Sequence, residues 1–204
     1  MFQSDHEFCL SILYLITNRS LVKSDEEYFK KIKSAIDGGL DRIILREKQL
    51  YEDELLRYGK KIMELTKGTE CKVIVNTSVK VYKEINAYGL HLPYKDFLIM
   101  KEKIDNIGVS VHTLEEAIKV DKIGVNYILA SNVYETRCKA GLKGKGVKFI
   151  NNIKKEVSTK VIALGGITVD NYKEVYNAGA DGIAIMSGMI CSKNPEKYIL
   201  ELKK

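Results

Sequence analysis

The chain of 204 residues has only four cysteines and two prolines, and both small numbers exclude structural classes. Its cysteines are Cys9, Cys71, Cys138 and Cys191, which are far apart and form no CxxC pair. This spacing argues against a zinc site and against a disulfide framework. The two prolines come without any low-complexity stretch, so no linker is visible, and we expect one domain over residues 1–204.

Long apolar segments are absent as well. No run approaches the roughly 18 to 20 apolar residues that a membrane-spanning helix needs. The N-terminal segment contains an apolar stretch but neither a basic leader nor a small-residue cleavage site, so it does not read as a signal peptide. We therefore expect a cytoplasmic protein that does not contact a membrane.

The charge pattern gives no sign of nucleic-acid binding. The formal net charge is +6, but the lysines are spread along the chain and interleaved with acidic residues. The alternation of aromatic and basic residues that stacks single-stranded bases is missing. The sequence therefore predicts no nucleic-acid partner, and its mild basic bias suits a small anionic substrate.

What the sequence does contain is a regular alternation of short β-branched segments with amphipathic helical ones. Ser24 and Glu27 form a predicted capping box, and Thr168 and Gly179 are predicted to begin and end a later helix. This alternation, repeated about eight times, indicates a parallel sheet. The predicted strands are Ile12–Thr17, Arg42–Arg46, Lys72–Asn76, Gly89–Leu92, Gly108–Ser110, Asn126–Ala130, Thr159–Leu164 and Gly182–Ile185.

The predicted strands favour closure into a barrel. Segments such as RIIL and KVIAL are apolar throughout, which indicates a sheet covered on both faces. An open doubly wound sheet is an alternative, but no GxGxxG motif follows the first strand, where a dinucleotide-binding fold would carry it. Eight units in about 200 residues favour the more compact solution. We predict an α/β fold that is a single (β/α)8 TIM barrel.

In a TIM barrel the chemistry lies at the C-terminal ends of the strands. Two glycine-containing loops follow the last two predicted strands, Gly165-Gly166 after the seventh and Ser187-Gly188 after the eighth. Glycine lets the backbone approach a phosphate closely, and N–H groups at a helix start face the anion. We predict that both loops bind a phosphate group of the substrate. The alternative is that both are tight turns without a ligand.

The second predicted strand leads into Arg46-Glu47-Lys48. Because side chains alternate along a strand, Arg46 and Lys48 should point the same way and Glu47 the other. Two cations on one face suit an anionic substrate, since arginine can bind a carboxylate or phosphate through two hydrogen bonds. A salt bridge with Glu47 at the rim is the competing interpretation.

The three histidines lie in three different settings. His6 belongs to the polar N-terminal segment and has no predicted role. His91 falls within the fourth predicted strand, between two leucines, where it either lines the barrel or contacts a ligand. His112 stands two residues after Ser110 and just before a helix, where an imidazole can reach the pocket and titrate near neutral pH. His112 is therefore a candidate for acid–base catalysis, and a histidine without a function is the alternative.

Seven motifs occur in a defined order along the sequence. They are LREK, the asparagine Asn76 after the third strand, GLHL, GVSVHTLEEA, the T-x-C-K-x-G loop, IALGGIT and GIAIMSG. Together they resemble the thiamine phosphate synthase and TenI superfamily over nearly the whole chain. The resemblance implies one of two activities. Thiamine phosphate synthase joins a pyrimidine diphosphate to a thiazole phosphate and releases pyrophosphate, whereas a TenI-type thiazole tautomerase shifts a proton to make a carboxythiazole phosphate aromatic.

Two positions, Thr77 and Cys138, depart from the synthase pattern within the resemblance, and a third, Asp96, keeps it. The synthases follow the third-strand asparagine with an aspartate that helps to hold Mg²⁺, and here Thr77 stands in its place. A second magnesium aspartate of the synthases corresponds to Asp96. The loop after the sixth strand contains Cys138, as in TenI proteins, although a cysteine that merely fills the space of a threonine is equally compatible. With one carboxylate missing, a Mg²⁺–diphosphate site should bind more weakly.

The resemblance is thus closer to TenI and implies a thiazole tautomerase without a cofactor, in which His112 is the proton shuttle. It implies that Arg46 and Lys48 bind the substrate carboxylate and that the two glycine loops bind its phosphate. The other residues implied in substrate binding are Asn76, Ser110, Ser131, Thr136, Cys138 and Lys139. Two alternatives stay open: a Mg²⁺-dependent synthase that uses Asp96, and a non-catalytic regulator that keeps the phosphate pocket. A homodimer or other homo-oligomer also stays open.

Overall fold

The computed structural model describes residues 12–135 and 143–204, and these residues form a closed barrel of eight parallel strands. Each strand pairs with the next in chain order, and the last pairs with the first. The predicted (β/α)8 TIM barrel is confirmed. The strands are β1 (Ile12–Ile16), β2 (Arg42–Leu45), β3 (Lys72–Asn76), β4 (Gly89–Pro93), β5 (Ile107–Val111), β6 (Tyr127–Ser131), β7 (Lys160–Leu164) and β8 (Gly182–Ile185).

Helices cover the outside of this barrel. In the described part of the chain they are α1 (Asp25–Asp37), α2 (Glu52–Thr66), α3 (Val79–Glu84), α4 (Tyr94–Ile99), α5 (Leu114–Ile123), α6 (Val147–Glu156), α7 (Tyr172–Asn177), α8 (Ser187–Ile190) and α9 (Pro195–Leu202), with a 3-10 turn at Arg19–Leu21. None of these helices is both long enough and apolar enough to cross a membrane.

The helix starts follow the predicted signals in part. The Ser24 hydroxyl accepts a hydrogen bond from the Glu27 amide at 3.1 Å and caps α1, as predicted. The Glu27 carboxylate accepts from the Lys23 amide, so the predicted capping box is incomplete. The helix predicted to start after Thr168 begins only at Tyr172. The reason is a turn at residues 169–171, in which the Thr168 hydroxyl accepts from the amide of residue 170 at 3.3 Å.

Several strand ends differ from the prediction by one residue. β1 ends at Ile16 and β2 at Leu45, each one residue early, because the Arg46 amide donates to the Thr17 hydroxyl at 2.9 Å. A side chain there takes the place of a backbone carbonyl, so the regular ladder stops. β6 runs one residue further than predicted, because Ser131 still pairs with β7. These small shifts matter because they occur where the site residues begin.

Apolar side chains fill two layers, one between the strands and the helices and one inside the barrel. Burying an isoleucine or leucine in either layer stabilises the fold by about 1.5–3 kcal/mol. Inside the barrel, the rings of Tyr14 and Tyr127 lie 5.2 Å apart between centroids. A Cβ atom at Gly108 would come within 2.0 Å of the Tyr127 ring, so that position has room for glycine alone. The inner layer consists of Tyr14, Ile16, Ile44, Ile74, Tyr127, Leu129, Ile162 and Ala184.

Candidate functional site

The inward-facing residues of β2, β3 and β6 change from apolar to polar towards the C-terminal ends of these strands, and β4 and β5 add His91 and Ser110. In the middle of β2, β3 and β6 the inward side chains are isoleucine or leucine. Side chains alternate along a strand, so the next inward position on each lies two residues further on. We call this C-terminal end of the barrel the mouth. Its inward-facing polar residues on β2 to β6 are Arg46, Asn76, His91, Ser110 and Ser131. The structure therefore brings four of the predicted substrate-binding residues to one end of the barrel, together with His91.

Arg46 is the half-buried cation of the mouth. Its amide is bonded to Thr17, but no residue in the described part of the chain accepts a hydrogen bond from its guanidinium or forms an ion pair with it. Burial lowers the pKa of Arg46, and the charge of Glu47 opposes this change. Arginine nevertheless stays charged at any physiological pH. A half-buried guanidinium without a carboxylate partner favours an anionic ligand.

Glu47 does not form the rim salt bridge that was the competing interpretation of this segment. Its side chain turns away from the mouth and is only 6% exposed, in line with the predicted opposite directions of Arg46 and Glu47. The Tyr28 hydroxyl donates to Glu47 Oε1 at 2.7 Å, and the Arg19 amide donates to Oε2 at 2.7 Å. These charge-assisted bonds tie the loop after β2 to α1 and to the loop after β1.

Lys48 lies in a turn beyond the end of β2 and is exposed. The expectation that it points the same way as Arg46 depended on strand geometry at both residues. Because β2 ends at Leu45, the alternation of side chains no longer sets the direction of Lys48. Arg46 is therefore the cation that the strand itself orients.

His91 faces the barrel interior from β4 and is 3% exposed. Its Nε2 atom lies 2.7 Å from Ser110 Oγ, and its Nδ1 atom lies 2.9 Å from Tyr127 Oη. Burial, with a smaller contribution from the charge of Arg46, lowers the pKa of His91 to about 3. The imidazole is therefore neutral at physiological pH. Of its two interpretations, His91 fits the lining of the barrel, and it reaches the mouth through Ser110.

His112 lies at the rim between β5 and α5 and is exposed. Its Nδ1 atom is 3.2 Å from the carbonyl oxygen and 3.2 Å from the hydroxyl of Ser131. The Lys145 ammonium donates to the carbonyls of His112 at 2.5 Å and Ser131 at 2.9 Å, which joins the two loops. Nδ1 is thus held by Ser131, and no described residue bonds to Nε2. This is an arrangement in which an imidazole can transfer a proton to a bound molecule.

In the loop after β7, carbonyl groups bond to the protein, whereas the Gly165 and Gly166 amides have no partner within residues 12–135 and 143–204. The carbonyls of Leu164 and Gly165 accept from the amides of Val133 and Tyr134 at 3.0 and 2.9 Å. Among the described residues, none accepts a hydrogen bond from the amides of Gly165 or Gly166. Both glycines have positive φ angles, +114° and +65°, which L-residues rarely adopt. Free amides in such a loop favour binding of a phosphate.

Close packing also explains why the loop after β7 has glycine at positions 165 and 166. A Cβ atom at Gly165 would lie 2.8 Å from the Asn132 Cβ atom, and one at Gly166 would lie 2.7 Å from the Tyr134 Cβ atom. Ser187 and Gly188 begin α8, and a Cβ atom at Gly188 would lie 2.5 Å from the Tyr198 hydroxyl. Close packing therefore explains why glycine is needed, and the amides of Gly165 and Gly166, which donate to no described residue, are the feature that favours a ligand.

Asn76 ends β3, and Thr77 follows it in an unusual conformation. Thr77 has φ of +66°, a value that is rare for a β-branched residue. Its amide donates to the His91 carbonyl at 3.0 Å and its hydroxyl donates to the Asn76 carbonyl at 2.7 Å. Thr77 lies beside the mouth, and strained backbone conformations of this kind are often found at functional sites.

Asp96 is the exposed carboxylate in the first turn of α4, directly after β4. No described residue forms an ion pair with it. Within residues 12–135 and 143–204, no cluster of three or more histidine, cysteine, aspartate or glutamate side chains could hold a metal ion by itself. A metal at this mouth would therefore need oxygen ligands from its substrate as well as from Asp96.

Thr136, Cys138 and Lys139, which the sequence predicts as substrate-binding residues, lie outside the described residues. Sequence reasoning also missed contributors that the structure shows. Tyr127 and Lys145 contact the predicted residues His91 and His112, respectively. Tyr127 could have been predicted from the alternation of side chains along β6, which places it on the same inward face as Ser131. No sequence pattern indicates a role for Lys145.

The fold and this mouth together define a class of protein, a TIM barrel whose strand ends suit a small anionic ligand. Comparison with known proteins specifies the family. The family model described as thiamine monophosphate synthase matches residues 13–189. A thiamine-phosphate synthase of Pyrococcus abyssi is 35% identical over 94% of this chain and 93% of its own length. One from Clostridium acetobutylicum is 31% identical over 89% and 88%.

A solved structure supports the same assignment. Thiamine phosphate pyrophosphorylase from Pyrococcus furiosus superposes with a TM-score of 0.81 at 30% identity, covering 94% of this chain and 93% of the other. The chain belongs to the thiamine monophosphate synthase family, in the superfamily that also contains TenI, and is an enzyme of thiamine biosynthesis. The predicted superfamily is thus confirmed. The preference for a TenI-type tautomerase is not supported, because these relatives carry the name of the alternative activity.

Proposed function

We propose that the protein is a thiamine-phosphate synthase, which joins a pyrimidine diphosphate to a thiazole phosphate and releases pyrophosphate. The observation that carries the proposal is the match to proteins named thiamine-phosphate synthase, at 31% and 35% identity over about nine-tenths of each chain. In this reaction the thiazole nitrogen forms a bond to the pyrimidine methylene carbon. The bond from that carbon to the diphosphate oxygen breaks, and the electron pair leaves with pyrophosphate.

The mouth of the barrel has groups suited to both substrates. We assign the diphosphate to Arg46, whose guanidinium has no partner in the described part of the chain, with Lys48 nearby in sequence. Asn76, Ser110 and Ser131 supply uncharged hydrogen-bonding groups around it. A fixed guanidinium at the leaving diphosphate stabilises the negative charge that develops there, which is the largest contribution a binding site makes to such a reaction. Thr136, Cys138 and Lys139 keep their sequence-based assignment to substrate binding.

We assign the phosphate of the thiazole substrate to the loops Gly165-Gly166 and Ser187-Gly188. The amides of Gly165 and Gly166, which donate to no described residue, support this assignment. These two loops follow the seventh and eighth strands, where phosphate groups often bind in TIM barrels. The diphosphate and the monophosphate would then occupy different parts of one mouth.

Synthases of this family use Mg²⁺, and this chain has one of the two carboxylates that would hold it. Asp96 offers one carboxylate, and Mg²⁺ commonly binds through one or two carboxylates together with substrate phosphates and water. Thr77 stands where a second carboxylate would be. We therefore propose that Mg²⁺ enters with the diphosphate and is held by Asp96. When bound, it would neutralise charge on the leaving pyrophosphate.

Thiazole tautomerase is the second candidate, because one observation favours it. His112 is held through Nδ1 at the rim, and no described residue bonds to its other ring nitrogen, which leaves that atom available to move a proton. The synthase reaction as written contains no step that needs this group. If the chain is a tautomerase, His112 moves the proton and no metal is needed.

The test supplies both substrates with Mg²⁺ and measures thiamine phosphate and pyrophosphate. We expect turnover, and we expect Arg46→Met to raise KM for the pyrimidine diphosphate by about ten- to a hundredfold, the value of a lost hydrogen bond to a charged group. Arg42→Met is the matched control, because Arg42 lies at the opposite end of the same strand and bonds to the Asp41 carbonyl. It should leave KM unchanged.

The competing activities have their own results. No thiamine phosphate, together with an ultraviolet change on aromatisation of the carboxythiazole phosphate that His112→Ala abolishes, would establish the tautomerase in place of the synthase. Absence of both activities with tight binding of thiazole phosphate would instead indicate a regulator.

A further inference from the structure

A chain of three hydrogen-bonding side chains runs from the barrel interior to the mouth. Tyr127 on β6, His91 on β4 and Ser110 on β5 are joined by contacts of 2.9 Å and 2.7 Å. The first two are 5% and 3% exposed, so water does not compete freely for their polar atoms. The imidazole stacks on the Tyr127 ring with 5.6 Å between centroids, which fixes its plane.

The neutral imidazole at the centre can take two forms, and its neighbours distinguish between them. Burial keeps His91 neutral, since its pKa lies near 3, so one ring nitrogen donates and the other accepts. If Nδ1 carried the proton, the Tyr127 hydroxyl would have to accept from it. The Tyr127 hydroxyl proton would then have no acceptor among the described residues, at a cost typical of an unsatisfied buried donor.

The other form satisfies both buried side chains, Tyr127 and His91. Tyr127 donates its hydroxyl proton to Nδ1, and the Nε2 proton is donated to Ser110 Oγ. The Ser110 hydroxyl accepts that bond, so its own proton points away from His91. Ser110 is half-buried at the mouth, and no described residue accepts a hydrogen bond from its hydroxyl once His91 donates to it, so this proton is available to a molecule bound in the mouth.

We propose that Tyr127 and His91 are positioning residues that keep Ser110 a hydrogen-bond donor towards the mouth, which selects an anionic oxygen as its partner. The inference rests on the proposed function in one respect only, that the anion in the reaction is the diphosphate of the substrate. A serine that donated to His91 would instead present lone pairs to the mouth and repel the same oxygen. Tyr127, which lies below the mouth, therefore determines that Ser110 donates a hydrogen bond to the mouth and does not accept one from it.

The tautomer of His91 can be measured without any substrate. The chain has three histidines, so a two-bond ¹H–¹⁵N correlation spectrum contains few signals, and His91→Gln and His112→Gln assign them. We expect wild-type His91 to be neutral at pH 7 and protonated on Nε2. In Tyr127→Phe the bond that favours the Nε2 form is gone, so the two forms lie closer in free energy, and we expect a larger Nδ1-protonated fraction than in wild type. A wild-type ring protonated on Nδ1 would overturn the proposal.

Binding of inorganic pyrophosphate with Mg²⁺, followed by calorimetry, tests the consequence for the mouth. Ser110→Ala should weaken binding by about ten- to a hundredfold, because it removes one donor to a charged group. Tyr127→Phe should weaken binding by up to the same factor, because Ser110 can then donate to His91 and present lone pairs to the anion. The double variant should be no weaker than Ser110→Ala alone, since both changes act through the same hydroxyl. Tyr14→Phe is the matched control: it removes a hydroxyl from the ring that packs on Tyr127 but is not bonded to His91, and it should bind as wild type.

The possible results separate a positioning role from a structural one. If Tyr127→Phe and Ser110→Ala weakened binding additively, Tyr127 would act by some other route and the proposal would be wrong. Equal weakening by Tyr14→Phe and Tyr127→Phe would show a general effect on the interior and would also overturn it. Failure of the synthase assay, with the expected tautomer and pyrophosphate binding, would reject the proposed function and leave this inference in place.

Discussion

Thr77 offers a test in which backbone strain and chemistry can be separated. Its φ of +66° places a β-branched residue in the left-handed region, where the strain costs roughly 1–2 kcal/mol. Asparagine and aspartate tolerate this conformation much better. Thr77 is exposed, so replacing it leaves no cavity. We compare Thr77→Asn with Thr77→Asp, two side chains of the same shape that differ in charge.

Both variants should be more stable than wild type. Relief of the strain, less a small loss for the bond from the Thr77 hydroxyl to the Asn76 carbonyl, should raise the free energy of unfolding by about 1 kcal/mol. For a domain of this size, that change raises Tm by about 2–4 °C. Thermal unfolding followed by circular dichroism measures it. An unchanged or lower Tm in both variants would refute the strain argument.

Only Thr77→Asp adds a carboxylate beside Asn76. If the protein is a Mg²⁺-dependent synthase, this variant should reach half-maximal activity at a lower Mg²⁺ concentration than wild type, because Mg²⁺ gains a second protein ligand. Thr77→Asn should keep the wild-type Mg²⁺ requirement. An equal shift in both variants would show that the backbone, and not the carboxylate, is responsible.

Three further predictions concern stability. Glu47→Gln should lower the free energy of unfolding by about 1.5–3 kcal/mol in urea, because the buried carboxylate accepts two charge-assisted bonds; no loss would mean that they contribute little. Gly166→Ala should destabilise the protein more than Gly68→Ala, since both have positive φ but only Gly166 also meets a neighbour, at 2.7 Å; equal losses would contradict the packing argument. Burial lowers the pKa of His91 in the folded protein to about 3, whereas the unfolded chain has a histidine pKa of about 6.5. The free energy of unfolding that comes from neutral His91 is therefore complete above pH 6.5, and it is lost as pH falls below that value because the unfolded chain then takes up a proton. Between pH 6.5 and 5 the loss amounts to about 2 kcal/mol. Comparing the free energy of unfolding of wild type and His91→Gln across this pH range measures it, and the same dependence on pH in both proteins would contradict the argument.

The barrel and the place of its mouth follow from local features of the sequence. Short apolar segments separated by capped helices recur about eight times, and that alternation admits few folds. Once the fold is a barrel, the residues that follow each strand must gather at one end. For that reason Arg46, Asn76 and Ser131 were expected at the same site, and the structure places them there.

The contacts within the mouth were not predictable in the same way. Glu47 was considered a partner of Arg46, yet the structure turns it into the protein, where Tyr28 and the Arg19 amide bind it. The direction of a side chain beyond a strand end depends on which neighbours have room and hydrogen bonds to offer. Those neighbours come from distant parts of the sequence, so local patterns do not identify them.

The sequence by itself determined the eight-strand alternation, the glycine loops and the family to which the chain belongs, because these depend on residue type and spacing along the chain. Only the tertiary structure decided that Tyr127, His91 and Ser110 form one hydrogen-bonded chain. They lie on three neighbouring strands, 36 and 19 residues apart in sequence, and meet because barrel closure and strand register bring them together. Pairwise contacts of this kind arise from register, which no single segment contains.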